Sequence, residues 1–377
     1  MFASLSPAWM LRLKKVGYWI WLVPVLGIPL SYHWSQGSDR PNAWTWFVIG
    51  VVFLVIPLLD AIVGRDPANP DEASEVPLLE GQAYYRLLSL LTVPLLLGML
   101  VYGGWVFSHT ETWDWSGRLG WILSVGTVMG AIGITVAHEL IHKDPALEQC
   151  AGGLLLAAVC YAGFKVEHVR GHHVNVSTPE DASSSRYDQS LYAFLPHAYA
   201  HNFRNAWRLE AQRLRRKGLP ALHWRNELIG WYALSALFLL AFGLAFGWLG
   251  ALYFLGQAAM ACTLLEIVNY VEHYGLHRRK LADGRYERTT HEHSWNSNFL
   301  LTNLFLFHLQ RHSDHHASAK RRYQVLRHYD DSPQLPNGYA GMIVLALFPP
   351  LWRAVMNPRV RAYYAGEEYQ LSDDQHA

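Results

Sequence analysis

The 377-residue sequence is poor in cysteine, holding only Cys150, Cys160 and Cys262. No two of them form a C-x-x-C pair, and all three stand among apolar neighbours. A disulfide framework, a zinc ribbon and a rubredoxin-type iron site therefore find no support. Excess charge is missing as well. A formal net charge of +1 gives no general attraction for nucleic acid. The first apolar run lacks a small-residue cleavage site and is followed by further apolar runs. It is expected to be a membrane anchor and not a signal peptide. No internal repeat and no low-complexity linker interrupts the chain, so residues 1–377 are read as one domain.

What the chain does have is long apolar runs. Hydrophobic residues make up 51% of it, and they concentrate in the first 165 residues and around 229–272. These runs are too long and too uncharged for amphipathic surface helices. Six spans are expected, near Val16–Tyr32, Ala43–Val63, Tyr85–Phe107, Leu119–His138, Ile229–Phe246 and Leu249–Val271. Tyr18, Trp19, Trp21, Trp44, Trp46, Trp105, Trp115, Trp121, Trp231 and Trp248 fall near their ends, as an interfacial aromatic belt does. The expected fold is an all-α integral membrane protein. Its transmembrane bundle covers about 16–138 and 229–272, and a histidine-rich cytoplasmic helical cap covers about 139–228 and 273–377. Within the cap, 197–217 reads as an amphipathic helix and 339–351 as a membrane-touching segment.

Orientation follows from the basic residues. Arg12, Lys14 and Lys15 precede the first span, while the expected outer loops carry only Arg40 and Arg118. Both termini are thus placed on the cytoplasmic side. The stretch 150–164 is apolar but short for a span. If it crossed, the histidines on either side of it would lie on opposite faces of the membrane. It is read as re-entrant or interfacial.

Of the 20 histidines, nine fall into four compact groups. His138 and His142 lie in His-Glu-Leu-Ile-His, four residues apart on one helix face. Glu-His-Val-Arg-Gly-His-His supplies His168, His172 and His173. His-Ser-Asp-His-His supplies His312, His315 and His316. His273 ends the sixth span. Each three-histidine group places one imidazole a helical turn ahead of a pair. Imidazole suits iron, copper and zinc, and nine neutral donors exceed what one ion can use, so two metals are expected. Glu139, Glu167, Glu266, Asn269, Glu272 and Asp314 flank the groups and are candidates to orient the ligands. Glu266 stands out because a carboxylate inside an apolar span is functional by default. One of these carboxylates bridging the metals is the open alternative. His308 lies one turn before His312 and is left out of the site.

The elements H-E-L-I-H-K, E-H-V-R-G-H-H, N-Y-V-E-H-Y-G and L-Q-R-H-S-D-H-H-A, in that order over roughly residues 15–345, strongly resemble the membrane alkane 1-monooxygenase family. Three of them also fit the wider fatty-acid desaturase and hydroxylase superfamily. The N-Y-V-E-H-Y-G element is the one that separates the alkane hydroxylases. The resemblance carries the family's ligand histidines onto the nine positions above. It implies a non-haem di-iron centre with O2 as co-substrate and neither haem nor flavin on this chain. The implied reaction turns the terminal methyl of an alkane into a primary alcohol. Electrons would come from a separate rubredoxin served by an NADH-dependent reductase, because this chain has no cysteines for a fused one. The implied location is the bacterial inner membrane, with the active site cytoplasmic.

Such C–H bonds are beyond acid–base groups and need a metal-bound oxidant. Alkanes partition into lipid at about 0.8 kcal/mol per CH₂, so a chain could reach the site methyl-first from the bilayer. Gly126, Gly130, Gly133 and Ala137 share one face of the fourth span. They are either a channel lining or a close helix–helix contact. Arg278, Arg279, Lys280, Lys320, Arg321 and Arg322 lie near the histidine groups and are candidates to steer an acidic donor, or else simply obey the positive-inside rule. Three rival readings start from the same motifs. One is an acyl desaturase. Another is an intramembrane zinc protease built on H-E-x-x-H. The third, a metal transporter, would place its ligands nearer mid-bilayer.

Overall fold

In lipid only a helix or a closed barrel satisfies its own backbone, so apolar runs of this length are bound to become helices. A computed structural model describes residues 7–364. It is all-helical apart from isolated β-bridges. Residues 1–6 and 365–377, including both termini assigned to the cytoplasm, lie outside the described residues. Four helices are long and apolar enough to cross a membrane. They are α1 (Trp9–Ser35), α3 (Ala83–His109), α4 (Trp115–Ile141) and α8 (Glu227–His273). Between α1 and α3 lies the shorter apolar α2 (Phe47–Val63).

Helix α8 corresponds to the fifth and sixth expected spans. It breaks at Gly247, whose φ of 67° is open to glycine and strained for other residues. The chain doubles back there. Phe242 packs on Tyr253 and Phe254, and Phe238 on Phe254, as two antiparallel halves require.

The ambiguous stretch resolves into α5 (Ala146–Ala158), a helix of 13 residues. At 1.5 Å per residue it covers about 20 Å, too little for a hydrocarbon core of about 30 Å. It packs on α4, where Gly152 sits so close that a Cβ would lie 2.9 Å from the Ala137 carbonyl. A helix that ends inside a bundle exposes carbonyls that need donors. Here α8 supplies them. Ser235 Oγ donates to Ala157 O, Gln257 Nε2 to Ala158 O and Cys262 Sγ to Val159 O. Cys160 then takes a left-handed φ of 55°, and the chain turns into α6 (residues 164–175).

The rest of the cap comprises α7 (Leu191–Arg215), α9 (Leu300–Phe305), α10 (His312–Ala317), α11 (Tyr339–Ala346) and α12 (Pro349–Tyr363). Helix α7 starts six residues before the expected 197. The segment 339–351 comprises Tyr339–Ala346 and the start of a second helix at Pro349. Arg311, wholly buried, staples the cap to the bundle by donating to Leu326 O, Asp66 O and Ala68 O.

The aromatic belt needs a correction. Trp19, Trp44, Trp46, Trp105, Trp115 and Trp248 are exposed on the apolar surface, but Tyr18, Trp21 and Trp121 are fully buried. Trp121 donates its indole N–H to Gly103 O, and Tyr18 meets His308. Position near a span end does not tell which way a side chain faces.

Candidate metal centre

Each histidine-bearing helix end delivers its imidazoles by its own winding. His138 and His142 are one α-helical turn apart on α4. On α10 the same i, i+4 spacing brings His312 and His316 to 2.8 Å, Nε2 to Nε2. Helix α6 behaves differently. His168–His172 is wound as a π-helix, whose i→i+5 bonding aligns residues five apart. His168 therefore brings its Nε2 to that of His173, at 3.1 Å, while the His172 ring stacks on it at 5.2 Å and its Nε2 turns to His316.

The nine imidazoles meet in two groups. His138, His142, His168, His173 and His315 form one, and His172, His273, His312 and His316 the other. Within each group the donor nitrogens all lie within 4.8 Å of one another. Every histidine singled out from the sequence is present, and His308 is not. His308 is buried against Tyr18.

The donor set can be tested for its fit to metal ions. A metal–imidazole bond is about 2.1 Å, so two neighbouring ligands at right angles on one ion lie about 3.0 Å apart. The Nε2 contacts His172–His316, His173–His315 and His273–His312 measure 3.2, 3.1 and 3.3 Å. The Nε2 atoms of His138 and His142 are buried with no hydrogen-bond partner, an arrangement that is costly unless something else pairs them. Burial first, and neighbouring imidazoles second, push His168, His173, His312, His315 and His316 well below the ordinary histidine range. They are neutral at pH 7, the form that binds a metal. The residues fit two ions, one for each group.

The flanking carboxylates divide. Glu272 Oε2 lies 3.1 Å from His312 Nε2, the nitrogen that faces His273 and His316. It is thus placed among the donors of the second group and not behind them. Glu139 pairs with Lys143 at 3.1 Å. Asp314 accepts from Arg327, and Glu167 accepts from Asn205. Glu266 accepts from Tyr161, Asn202 and Asn269. None of these four contacts an imidazole by hydrogen bond.

The carboxylate that does orient a ligand was not singled out. Asp181 Oδ2 lies 2.8 Å from His172 Nδ1, and Ser184 donates to the same oxygen. Burial opposes both charges, yet the pairing prevails. It raises His172 and lowers Asp181 from their ordinary values. Burial, and then the Asp181 charge, push Glu167 up. Ser294 Oγ sits 3.3 Å from His273 Nδ1. Asp181 and Ser294 lie in irregular loops, where no periodic signal marks them.

An apolar cavity of about 40 Å³ opens onto the histidines. His138, His168, His312 and Glu272 form its polar end, and Ile134, Leu264, Leu265, Val268, Leu309 and Ile343 its walls. Of the four proposed channel residues only Gly130 lines it. A Cβ on Gly126 would lie 2.8 Å from Gln257 O, and one on Gly133 would face Leu96 and Met129. Ala137 is buried, with its carbonyl against Gly152. Those three serve helix packing. Ala131 and Thr135 line the cavity in their place, because Met129–Ile134 is a π-helix that rotates the lining face.

The basic residues are largely committed elsewhere. Arg321 pairs with Glu72 at 2.9 Å, Arg322 with Glu148 at 3.0 Å and Lys320 with Asp144 at 2.8 Å. Arg278 donates to Val174 O and Glu287 O. The Arg279 amide is taken by Glu287, and Lys280 lies over Tyr286.

Comparison with known proteins bears directly on this site. The fatty acid desaturase family matches residues 113–346, a range that contains all nine histidines. An alkane 1-monooxygenase 2 of Pseudomonas aeruginosa is 84% identical over 375 residues, covering 100% of both chains. The chain belongs to the alkane 1-monooxygenase family. An alkane 1-monooxygenase 1 of the same organism is 69% identical, over 100% of this chain and 98% of its own. The hydroxylase component of a xylene/toluene monooxygenase from Pseudomonas putida is 28% identical over 84% of this chain. Membership decides among the rival readings that share these motifs. The protease reading also fails on geometry. Glu139 of the H-E-x-x-H element is held by Lys143 and the Tyr323 amide, and the motif's two histidines share their group with three others.

Proposed function

We propose that the chain is a membrane-bound, non-haem di-iron monooxygenase that hydroxylates the terminal methyl of alkanes to primary alcohols. The observation that carries this is the convergence of nine imidazoles into groups of five and four, with His138, His168 and His312 at the polar end of an apolar cavity. Bound iron would supply the O2 activation that no side chain here can provide. His138, His142, His168, His173 and His315 would hold one ion. His172, His273, His312 and His316, with Glu272 beside them, would hold the other.

The protein's own contribution is positioning and exclusion of water. From His138 back to Gly130 on α4, eight residues of helix cover about 12 Å. A linear chain lying along that wall presents its end to the histidines and offers no polar group for the walls to reject. Phe164 stacks on His168 at 4.5 Å and closes one side. Asp181 holds His172 by its Nδ1.

The arrangement is proposed to cross the bacterial inner membrane six times, with α1–α4 and the two halves of α8 spanning and the histidines cytoplasmic. The distribution of basic residues supports this. A separate rubredoxin, recharged by an NADH-dependent reductase, is the proposed electron donor. His173 is the least buried of the nine histidines, and its neighbour Val174 is exposed, so the donor is expected to approach there. The test is reconstitution in bilayers with iron, rubredoxin, reductase and NADH on a ladder of alkanes. Primary alcohol and about two irons per chain are expected. Absence of alcohol from an iron-loaded, folded preparation overturns the reading.

A further inference from the structure

A second cavity, of about 240 Å³, shares Phe164 with the first. The reaction proposed above makes no use of it. Its lining differs in kind from the aliphatic walls of the first. Tyr199, Phe203 and Tyr232 form an aromatic flank, and Tyr161, Glu167 and Asn202 bring polar atoms. Phe203 is 53% exposed and marks the mouth. Asn202 is 6% exposed. Its Nδ2 donates to Ser183 Oγ at 3.0 Å and to Glu266 Oε1 at 3.4 Å, while its Oδ1 has no partner. The Tyr161 hydroxyl donates to Glu266.

An alkane and its alcohol ask different things of an exit. The alkane crosses apolar walls without loss. The alcohol, withdrawn the same way, drags a hydroxyl from the polar end along the aliphatic walls of Ile134, Leu264, Leu265 and Ile343, and an unpaired buried hydroxyl is costly. The product's hydroxyl forms at the histidine end, next to Phe164. A move past that ring brings it to a wall that carries Asn202, whose Oδ1 is a buried acceptor with no partner.

We propose that this second cavity is a binding site for the product, a linear primary alcohol, on its way out. The hydroxyl donates to Asn202 Oδ1 while the alkyl chain still trails past Phe164 into the first cavity. Tyr199, Phe203 and Tyr232 then receive the chain and guide it to the surface. Phe164 is the partition between the two cavities, and it must swing from its stack on His168 to let the alcohol through. This inference rests on the hydroxylase reading, because it takes the alcohol from that reaction.

The test is photolabelling of the full-length protein in nanodiscs, using a 1-alkanol with a diazirine beside the hydroxyl end. Label is expected within residues 199–232, displaced by 1-decanol and not by decane. Label displaced equally by added phospholipid, or confined to lipid-facing residues, overturns the proposal. Labelling needs no turnover, so it is independent of whether the alkane is oxidised. A preparation that makes alcohol yet leaves 199–232 unlabelled sinks this site alone. Asn202→Leu should weaken inhibition by 1-decanol at least tenfold and leave the KM for decane unchanged. An equal change in both constants counts against the proposal. If that variant does not fold, Phe203→Ala serves in its place, with a several-fold loss of labelling expected and an unchanged level refuting the aromatic flank.

Discussion

The residue that most needs a test is Asp181. Metal-bound imidazoles are held in the right tautomer by a partner on the other ring nitrogen, and loss of that partner commonly weakens metal binding about 10–100-fold. Asp181 is that partner for His172. Asp181→Asn keeps the shape but removes the charge, so its iron should dissociate about 10–100-fold more readily. Iron content after dialysis against graded chelator would show this, and retention equal to the unmodified protein would refute the role. Glu139 makes the contrasting case. Its contacts are to Lys143 and a backbone amide, so Glu139→Gln should leave iron content intact. The two carboxylates look alike in composition. The difference lies in which atoms a loop brings within 3 Å, and that is invisible in the pattern of the chain.

At the scale of elements, the π-turns matter most. The i, i+4 rule is right for α10 and would pair His168 with His172. The π-wound turn of α6 pairs His168 with His173 instead and releases His172 to the other group. A similar turn in α4 rotates Ala131 into the cavity. This changes which substitution reads out chain length. A Cβ at Gly130 already meets Ala261 Cα and O at 3.1 Å, so Gly130→Leu should push α4 away from α8 and reduce folded protein. Overpacking of this sort costs about 1–3 kcal/mol or more. Ala131→Leu should instead keep the fold and lower the longest alkane accepted. Product profiles on a ladder of alkanes would check it, and an unchanged profile in a folded, iron-loaded variant removes Ala131 from the channel.

At the scale of the whole molecule, two sets of ties hold the cap to the bundle. One is the metal centre, fed by α4, α6, α8 and α10. Since ligands that bind only the folded state stabilise it, saturating metal at 100 times its Kd adds about 2.7 kcal/mol. Chelation should therefore lower the melting temperature and expose α6 and α10 to protease before the bundle. Coincident loss of cap and bundle would argue against this order. The other tie is ionic. Glu148 is wholly buried and receives Arg322 and Arg86. Breaking a buried pair costs about 3–5 kcal/mol, and with Arg86 still in place the low end applies to Arg322→Ala. That variant should lose stability without a specific change in the KM for rubredoxin. A raised KM at unchanged melting temperature would restore Arg322 to a docking role.

The sequence by itself determined that this is a helical membrane protein with nine histidines in short-spaced groups that could hold metal. Apolar runs of membrane length permit little but helices, and nine imidazoles so grouped have few other uses. It also led to the expectation that 150–164 does not cross, and the structure makes the helix there only 13 residues long and brings the groups on either side together. Only the tertiary structure decided which histidine joins which group, which carboxylate supports one and which face of α4 meets the cavity. Those outcomes depend on local winding and on loops folded over long sequence distances. A one-residue change in helical pitch redirects a side chain by a quarter turn and leaves no trace in the spacing of the letters.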